Sequence, residues 1–166
     1  MEQPEELLLN EKSENEEKKV VLNNVQMQPE SIPFKLEEKP ILKDISQIRG
    51  IRKEEPNNPH EVGYISYGRV FANDLAKSEV SKTNPIYPVG SIFVREKLLK
   101  ETDENPEVIT AMVKREKGFS SKTGDWEYFT FNGADFKLTK RETKGDCAKC
   151  HANAKDTDFV FKQYLK

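Results

Sequence analysis

Cysteine is nearly absent from this 166-residue chain: there are two, at positions 147 and 150. No third or fourth thiol offers a structural zinc site. Long apolar runs are also missing. No stretch approaches the roughly 18 apolar residues of a membrane-spanning helix. The one apolar cluster near the start, Leu7-Leu8-Leu9, is shorter than the ~7–15-residue apolar region of a secretory signal, and its lead is acidic rather than basic. Neither sign of charge dominates, with 27 Lys and Arg against 29 Asp and Glu. No stretch concentrates basic residues with interleaved aromatics, so nucleic acid is not expected as a partner. Hydrophobic residues make up 35% of the chain, against about 45–50% in ordinary globular domains. The deficit lies mainly in the N-terminal region, which leaves the rest able to build a core.

Both thiols fall in one pentapeptide, Cys147-Ala148-Lys149-Cys150-His151. This is the C-x-x-C-H pattern of covalent haem attachment. Two thiols three positions apart on one helical turn can each add to a vinyl group of one porphyrin. The next residue then offers an imidazole to the iron. One covalent haem c, with His151 on the metal and Cys147 and Cys150 on the ring, is therefore expected, and no thiol is left for a disulfide. The alternatives are a redox C-x-x-C or a chance match. A redox motif should follow a strand and open a long helix of a βαβ unit, and 15 residues follow His151.

Seven Glu and three Lys fall among the first 20 residues. Residues 1–38 read as a disordered acidic and polar tether, because such a segment cannot bury enough apolar area to offset its ordering entropy. Residues 39–166 read as the haem-binding domain. Thioether bonds of c-type haem are made outside the bacterial cytoplasm, so a periplasmic or otherwise exported protein is expected. Its targeting segment would be removed, and any membrane tether would run only through that segment.

Ile41, Ile45 and Ile48 are spaced as the stripe of a short amphipathic helix, with Gly50 as its stop. Glu54-Glu55-Pro56-Asn57-Asn58-Pro59 is loop chemistry. Val62 to Ala72 is strand-like, with Gly63 and Gly68 as bends or bulges. Asn73 can cap a helix running to about Lys82. Ser91 to Lys97 alternates, with Ile92 and Val94 on one face and Ser91, Phe93 and Arg95 on the other. Val108 to Lys114 and Trp126 to Phe131 are further strands, separated by a turn over Phe119 to Asp125, and Asn132-Gly133 is another turn. Runs at this spacing argue for an antiparallel sheet. Asp156 to Leu165 reads as a closing helix.

Ordinary small cytochromes c are helical, carry C-x-x-C-H near the N-terminus and take a methionine ligand downstream. Here the motif follows a β-rich region and no methionine comes after it. The chain resembles the cytochrome P-460 and cytochrome c′-beta family. The residues that carry the resemblance are Gly90 through Glu96, Ala111-Met112-Val113-Lys114, Phe119 through Phe129, Cys147 through His151, and Ala154 through Phe161. It extends from about Ile41 onward and is strongest after Gly90. The resemblance implies an α+β fold, with a twisted antiparallel β-sheet, flanking short helices and the haem attached at the C-terminal C-x-x-C-H helix. It further implies a homodimer, and a five-coordinate iron whose open side faces the sheet. Members oxidise hydroxylamine or bind gases such as nitric oxide and carbon monoxide.

Hydroxylamine-oxidising members bond a lysine to the porphyrin. An ungapped match around Gly90 to Glu96 puts Arg95 there instead. A guanidinium stays protonated and cannot act as that nucleophile. Lys97 becomes the candidate if the register slips by two. Thr110 falls where some hydroxylamine oxidisers keep a pocket carboxylate, and a hydroxyl is a poor base near neutral pH. Phe93 either crowds the distal pocket or packs in the core. Arg95 reaches a bound anion or a haem propionate, or is a solvated strand residue. Arg69 is a weaker candidate of the same kind. Met112 shares the face of Thr110; it is read as a pliable gap-filler beside the ring in preference to a sixth ligand. His60 sits in a polar loop and reads as a surface histidine. Trp126 and Tyr128 read as sheet or dimer packing.

The resulting expectation is a haem protein that binds nitric oxide, carbon monoxide or a related nitrogen oxide. The enzymatic alternative is a hydroxylamine-oxidising or peroxidase-like haem oxidoreductase using Arg95, Lys97 or Thr110. A third reading is an electron-transfer cytochrome with a redox partner protein, which would need Met112 or His60 on the iron.

Overall fold

The computed structural model describes residues 42–54 and 65–166, all within one compact unit, Leu36–Lys166. The expected tether over 1–38, Ile41 and His60 lie outside the described residues.

Six strands form one antiparallel sheet in chain order: β1 Ser46–Glu54, β2 Ser66–Ala72, β3 Ile92–Leu98, β4 Val108–Lys114, β5 Trp126–Asn132 and β6 Leu138–Glu142. Among the described residues two short α-helices accompany it, α1 Asp74–Val80 and α2 Asp146–His151. This is the α+β architecture expected. None of the described helices is long and apolar enough to cross a membrane.

Strand alternation gives the sheet two apolar faces. Ala72, Phe93, Met112 and Tyr128 stand directly opposite one another across β2 to β5, as do Val70, Arg95, Thr110 and Thr130 one row away. That face packs with Tyr87, Trp126, Ala148, Val160 and Leu165. The reverse face gathers Val94, Ile109, Ala111, Val113, Phe129 and Phe131. The division of β3 into two faces is as its sequence alternation indicated.

Asn73 caps α1. Its side-chain oxygen accepts from Ala76 N at 3.1 Å and from Ile92 N at 3.0 Å, while its amide nitrogen donates to the Gly90 carbonyl at 2.8 Å. One side chain thus starts the helix and fastens it to the head of β3.

Three local expectations are corrected. The isoleucine stripe is no helix: Ile48 lies in β1 and Ile45 just before it. Their odd spacing puts Ile45 against the reverse-face core and Ile48 against the other, as extended β-branched residues do. Gly50 lies inside that strand rather than ending a helix. Second, Asp156 to Leu165 is not a closing helix. It contains 3₁₀ segments at Ala152–Thr157 and Lys162–Tyr164, interrupted by left-handed Asp158 and Phe159 at φ 51° and 65°. Third, β6 was not anticipated. Its sequence, Leu-Thr-Lys-Arg-Glu, is half-exposed or exposed throughout and carries no apolar alternation.

Candidate haem site

Helix α2 and the C-terminal segment close over the Phe93–Met112–Tyr128 face of the sheet, leaving a cleft of about 670 Å³ that includes its open mouth. From the sheet come Phe93, Arg95, Thr110, Met112 and Tyr128; from α2, Cys147 and His151; from the C-terminal segment, Val160, Phe161, Tyr164 and Leu165. The walls are almost wholly apolar, as a flat macrocycle needs.

His151 ends α2 with 9% of its surface exposed. Its Nδ1 lies 2.7 Å from the Phe159 carbonyl oxygen. A carbonyl only accepts, so Nδ1–H is the donor, and the lone pair of the neutral ring is on Nε2. Burial lowers the His151 pKa, a shift that the Phe159 bond partly opposes. The neutral imidazole, the form that ligates metal, is therefore favoured. The Tyr128 and Phe161 rings lie 5.0 and 5.3 Å from the imidazole and fix its plane.

Cys147 and Cys150 are unpaired, half-buried thiols. The Cys147 thiol is pushed up to about 12, by burial and then by the Glu142 carboxylate beside it. Glu142 Oε1 also accepts the Cys147 backbone N–H at 2.9 Å, fastening the start of α2 to the end of β6. Cys150 lies three positions on, outside the cleft lining.

Arg95 lines the cleft with its guanidinium engaged. Its guanidinium donates to Glu54, whose other oxygen accepts from Arg49 at 2.9 Å. Arg49 also donates to the Gly68 carbonyl at 2.8 Å. Gly68 is no bulge in β2. A Cβ there would collide with the Glu54 carboxylate, so glycine is what admits the charge cluster. Lys97 shares the strand face of Arg95 but does not line the cleft; its ammonium lies 3.0 Å from Glu107. Arg69 is corrected as a pocket candidate. It pairs with Glu96 on the reverse face and donates to the Glu104 carbonyl at 3.0 Å. Thr110 and Met112 line the cleft side by side with Arg95 and Phe93. Trp126 is fully buried in the core, and Glu127 on the opposite side of β5 bonds Arg115 and Arg141.

Sequence reading missed Arg49, Glu54, Glu142 and Asp158. The first two fall in the expected helix and loop, and nothing local marks a buried ion pair formed across strands.

The family model of cytochrome P460 matches residues 47–162. The chain belongs to the cytochrome P460 family. No curated protein matches it. Family membership implies a haem cofactor, and the residues of the cleft fit one. Among the described residues no cluster of three or more His, Cys, Asp or Glu side chains could hold a bare metal ion. Among the described residues His151 is the one imidazole that lines the cleft. The buried Tyr128 hydroxyl has no hydrogen-bond partner among the described residues, as expected of a polar atom facing a group that the polypeptide does not supply.

Proposed function

We propose that this cytochrome P460 family protein is an exported c-type mono-haem protein that binds small ligands such as nitric oxide or carbon monoxide at a five-coordinate iron. Cys147 and Cys150 would carry the two thioethers and His151 Nε2 would ligate the metal. A haem held there would supply an iron able to bind a small exogenous ligand, with His151 as the protein's own ligand to the metal. Phe159 holds the imidazole through Nδ1, and Tyr128 and Phe161 set its plane. Phe93 and Met112 keep the cleft apolar and restrict the size of what enters.

The observation that carries this reading is the polar inventory of the cleft. Beside Cys147 and His151, the polar side chains that line it among the described residues are Arg95, Thr110, Tyr128 and Tyr164, with no Asp or Glu, and Arg95 is engaged by Glu54. Hydroxylamine oxidation requires proton removal from the substrate, and neither a guanidinium nor a hydroxyl is an effective base near neutral pH. Lys97, the candidate for a ring bond, is engaged by Glu107. Binding is thus favoured over turnover. Electron transfer is the second reading, supported by Met112 on the cleft wall. It requires methionine on the iron and a low-spin spectrum.

Titrating the ferrous protein with nitric oxide tests the proposal. A saturable Soret shift is expected; an unchanged spectrum at all concentrations would overturn it. A high-spin ferric spectrum at neutral pH would separate the open site from the Met112-ligated one. Export follows from where thioethers are made, and fractionation of expressing cells checks it. Sedimentation of the loaded protein checks the homodimer that the family resemblance implies.

A further inference from the structure

The geometry points to Asp158 as a positioning residue for the iron ligand. By clamping a left-handed turn it aims the Phe159 carbonyl at His151 Nδ1, and so sets how strongly the imidazole donates to iron. This rests on the haem reading above.

Asp158 and Phe159 are consecutive non-glycine residues in the left-handed region, at φ 51° and 65°. Such conformations are unfavourable and persist only where the surroundings impose them. Three holders converge here from distant parts of the chain. Lys114, at the end of β4, places its ammonium 2.7 and 2.8 Å from the two Asp158 carboxylate oxygens. The Tyr87 backbone N–H donates to Oδ2 at 2.8 Å. Trp126, at the head of β5, donates its indole N–H to the Asp158 carbonyl at 2.7 Å. The Lys114 and Asp158 side chains are only 11% and 14% exposed, and the ammonium sits 5.1 Å from the Trp126 ring centroid.

The Phe159 side is fixed as well. Its ring lies against Gly124, where a Cβ would collide with it, and its N–H donates to the Ala154 carbonyl at 2.7 Å. With Asp158 held on one side and the ring on the other, the Phe159 carbonyl has one direction left, toward His151 Nδ1 at 2.7 Å. Neither Asp158, Lys114 nor Trp126 lines the cleft. Beside the through-space effect of the Lys114 and Asp158 charges, their contact with the iron ligand is made through that one hydrogen bond. A firm Nδ1–H···O=C bond gives the ring more imidazolate character, raises its basicity toward iron and favours the ferric state.

The test uses the haem-loaded full chain and two readouts that a merely structural role would not move: the iron–histidine stretching band of the ferrous protein and the midpoint potential. Three variants are compared with the wild type. Asp158→Ala removes the clamp. Asp158→Asn keeps an acceptor for the Tyr87 N–H and tolerates the left-handed region, but loses the ion pair. Lys114→Met removes the cation and leaves the turn sequence intact. The band is expected to fall in all three variants, most in Asp158→Ala; the charge changes in Asp158→Asn and Lys114→Met have opposite sign, so potentials that move in opposite directions with the band at its wild-type position would show a Coulombic effect alone and overturn the inference. If Asp158→Ala does not accumulate as a folded haem protein, the other two variants decide. Wild-type band positions and potentials in correctly loaded variants would overturn the inference while leaving the haem reading intact. A wild-type protein without any iron–histidine band would instead overturn the haem reading.

Discussion

Glu54 Oε2 receives Arg95 across the sheet while its Oε1 receives Arg49, so one carboxylate with 2% side-chain exposure binds two guanidiniums. Burial alone would raise the Glu54 pKa, but the bonds to Arg95 and Arg49 outweigh it and the net shift is downward. Removing one member of a buried ionic cluster commonly costs about 3–5 kcal/mol, because the remaining charges stay buried. Glu54→Gln should lose stability on that scale in urea unfolding at pH 7. A carboxylate whose pKa is lowered by folding contributes fully above its unfolded value and loses that contribution as pH falls through the folded one. Wild-type stability should therefore drop below pH 4.5, the ordinary value, more steeply than that of Glu54→Gln. Parallel acid limbs in the two proteins would contradict this account.

The two thiols give separable outcomes. Cys147 lies against Glu142 at the start of α2 and lines the cleft, whereas Cys150 lies a turn further on outside it. Each Cys→Ser variant should retain the haem through one thioether, with an alkaline pyridine spectrum between those of free and doubly linked haem. The double variant should release its haem into acidified butanone. Intact mass spectrometry of the three proteins checks the count of bonds directly.

Lys97 provides the contrast with a hydroxylamine oxidiser. Its ammonium is 3.0 Å from Glu107, and the side chain is 10% exposed. The loaded wild-type protein should have the mass of the chain plus a haem with two thioethers and no further ring bond. Lys97→Arg preserves a cation for Glu107 and should leave the ferrous Soret band in place. Hydroxylamine turnover with an electron acceptor should remain at background in both. A red-shifted ferrous band lost in Lys97→Arg would restore the enzymatic alternative.

How far the sequence foretold this site depends on where each interaction is encoded. The pentapeptide from Cys147 to His151 is local chemistry, and strands β3, β4 and β5 carry regular apolar alternation, so both were legible. Strand β1 was not. Bulges between Gln47 and Arg49, and between Arg49 and Arg52, break its period of two, and Ile48 falls by accident at helical spacing from Ile41 and Ile45 in the sequence. Among the described residues strand β6 pairs with β5 alone and turns few side chains into the core, so its composition resembles a loop. The C-terminal turn is decided by Lys114 and Trp126, more than 30 residues away in sequence, whose bonds to Asp158 override the helical pattern of the segment itself. Long-range ion pairs leave no mark on their immediate neighbours, which is why Glu54 and Asp158 emerged only from the fold.

Phe93 unites the two roles that its sequence left open. Its ring meets Tyr87 edge-on at 5.1 Å and lies 6.2 Å from Trp126, while its cleft side stands beside Met112. As a core residue, Phe93→Ala should cost about 3–5 kcal/mol in chemical unfolding, and Phe93→Leu, closer in volume, less than about 1.5 kcal/mol. As a wall of the cleft it should also govern ligand size. The affinity for n-butyl isocyanide relative to carbon monoxide should rise in Phe93→Ala, because the removed ring admits an alkyl chain. Phe93→Leu should lie between that variant and the wild type. Loss of stability with an unchanged affinity ratio would confine Phe93 to the core and shift the size filter to Met112, where Met112→Ala would then raise the ratio instead.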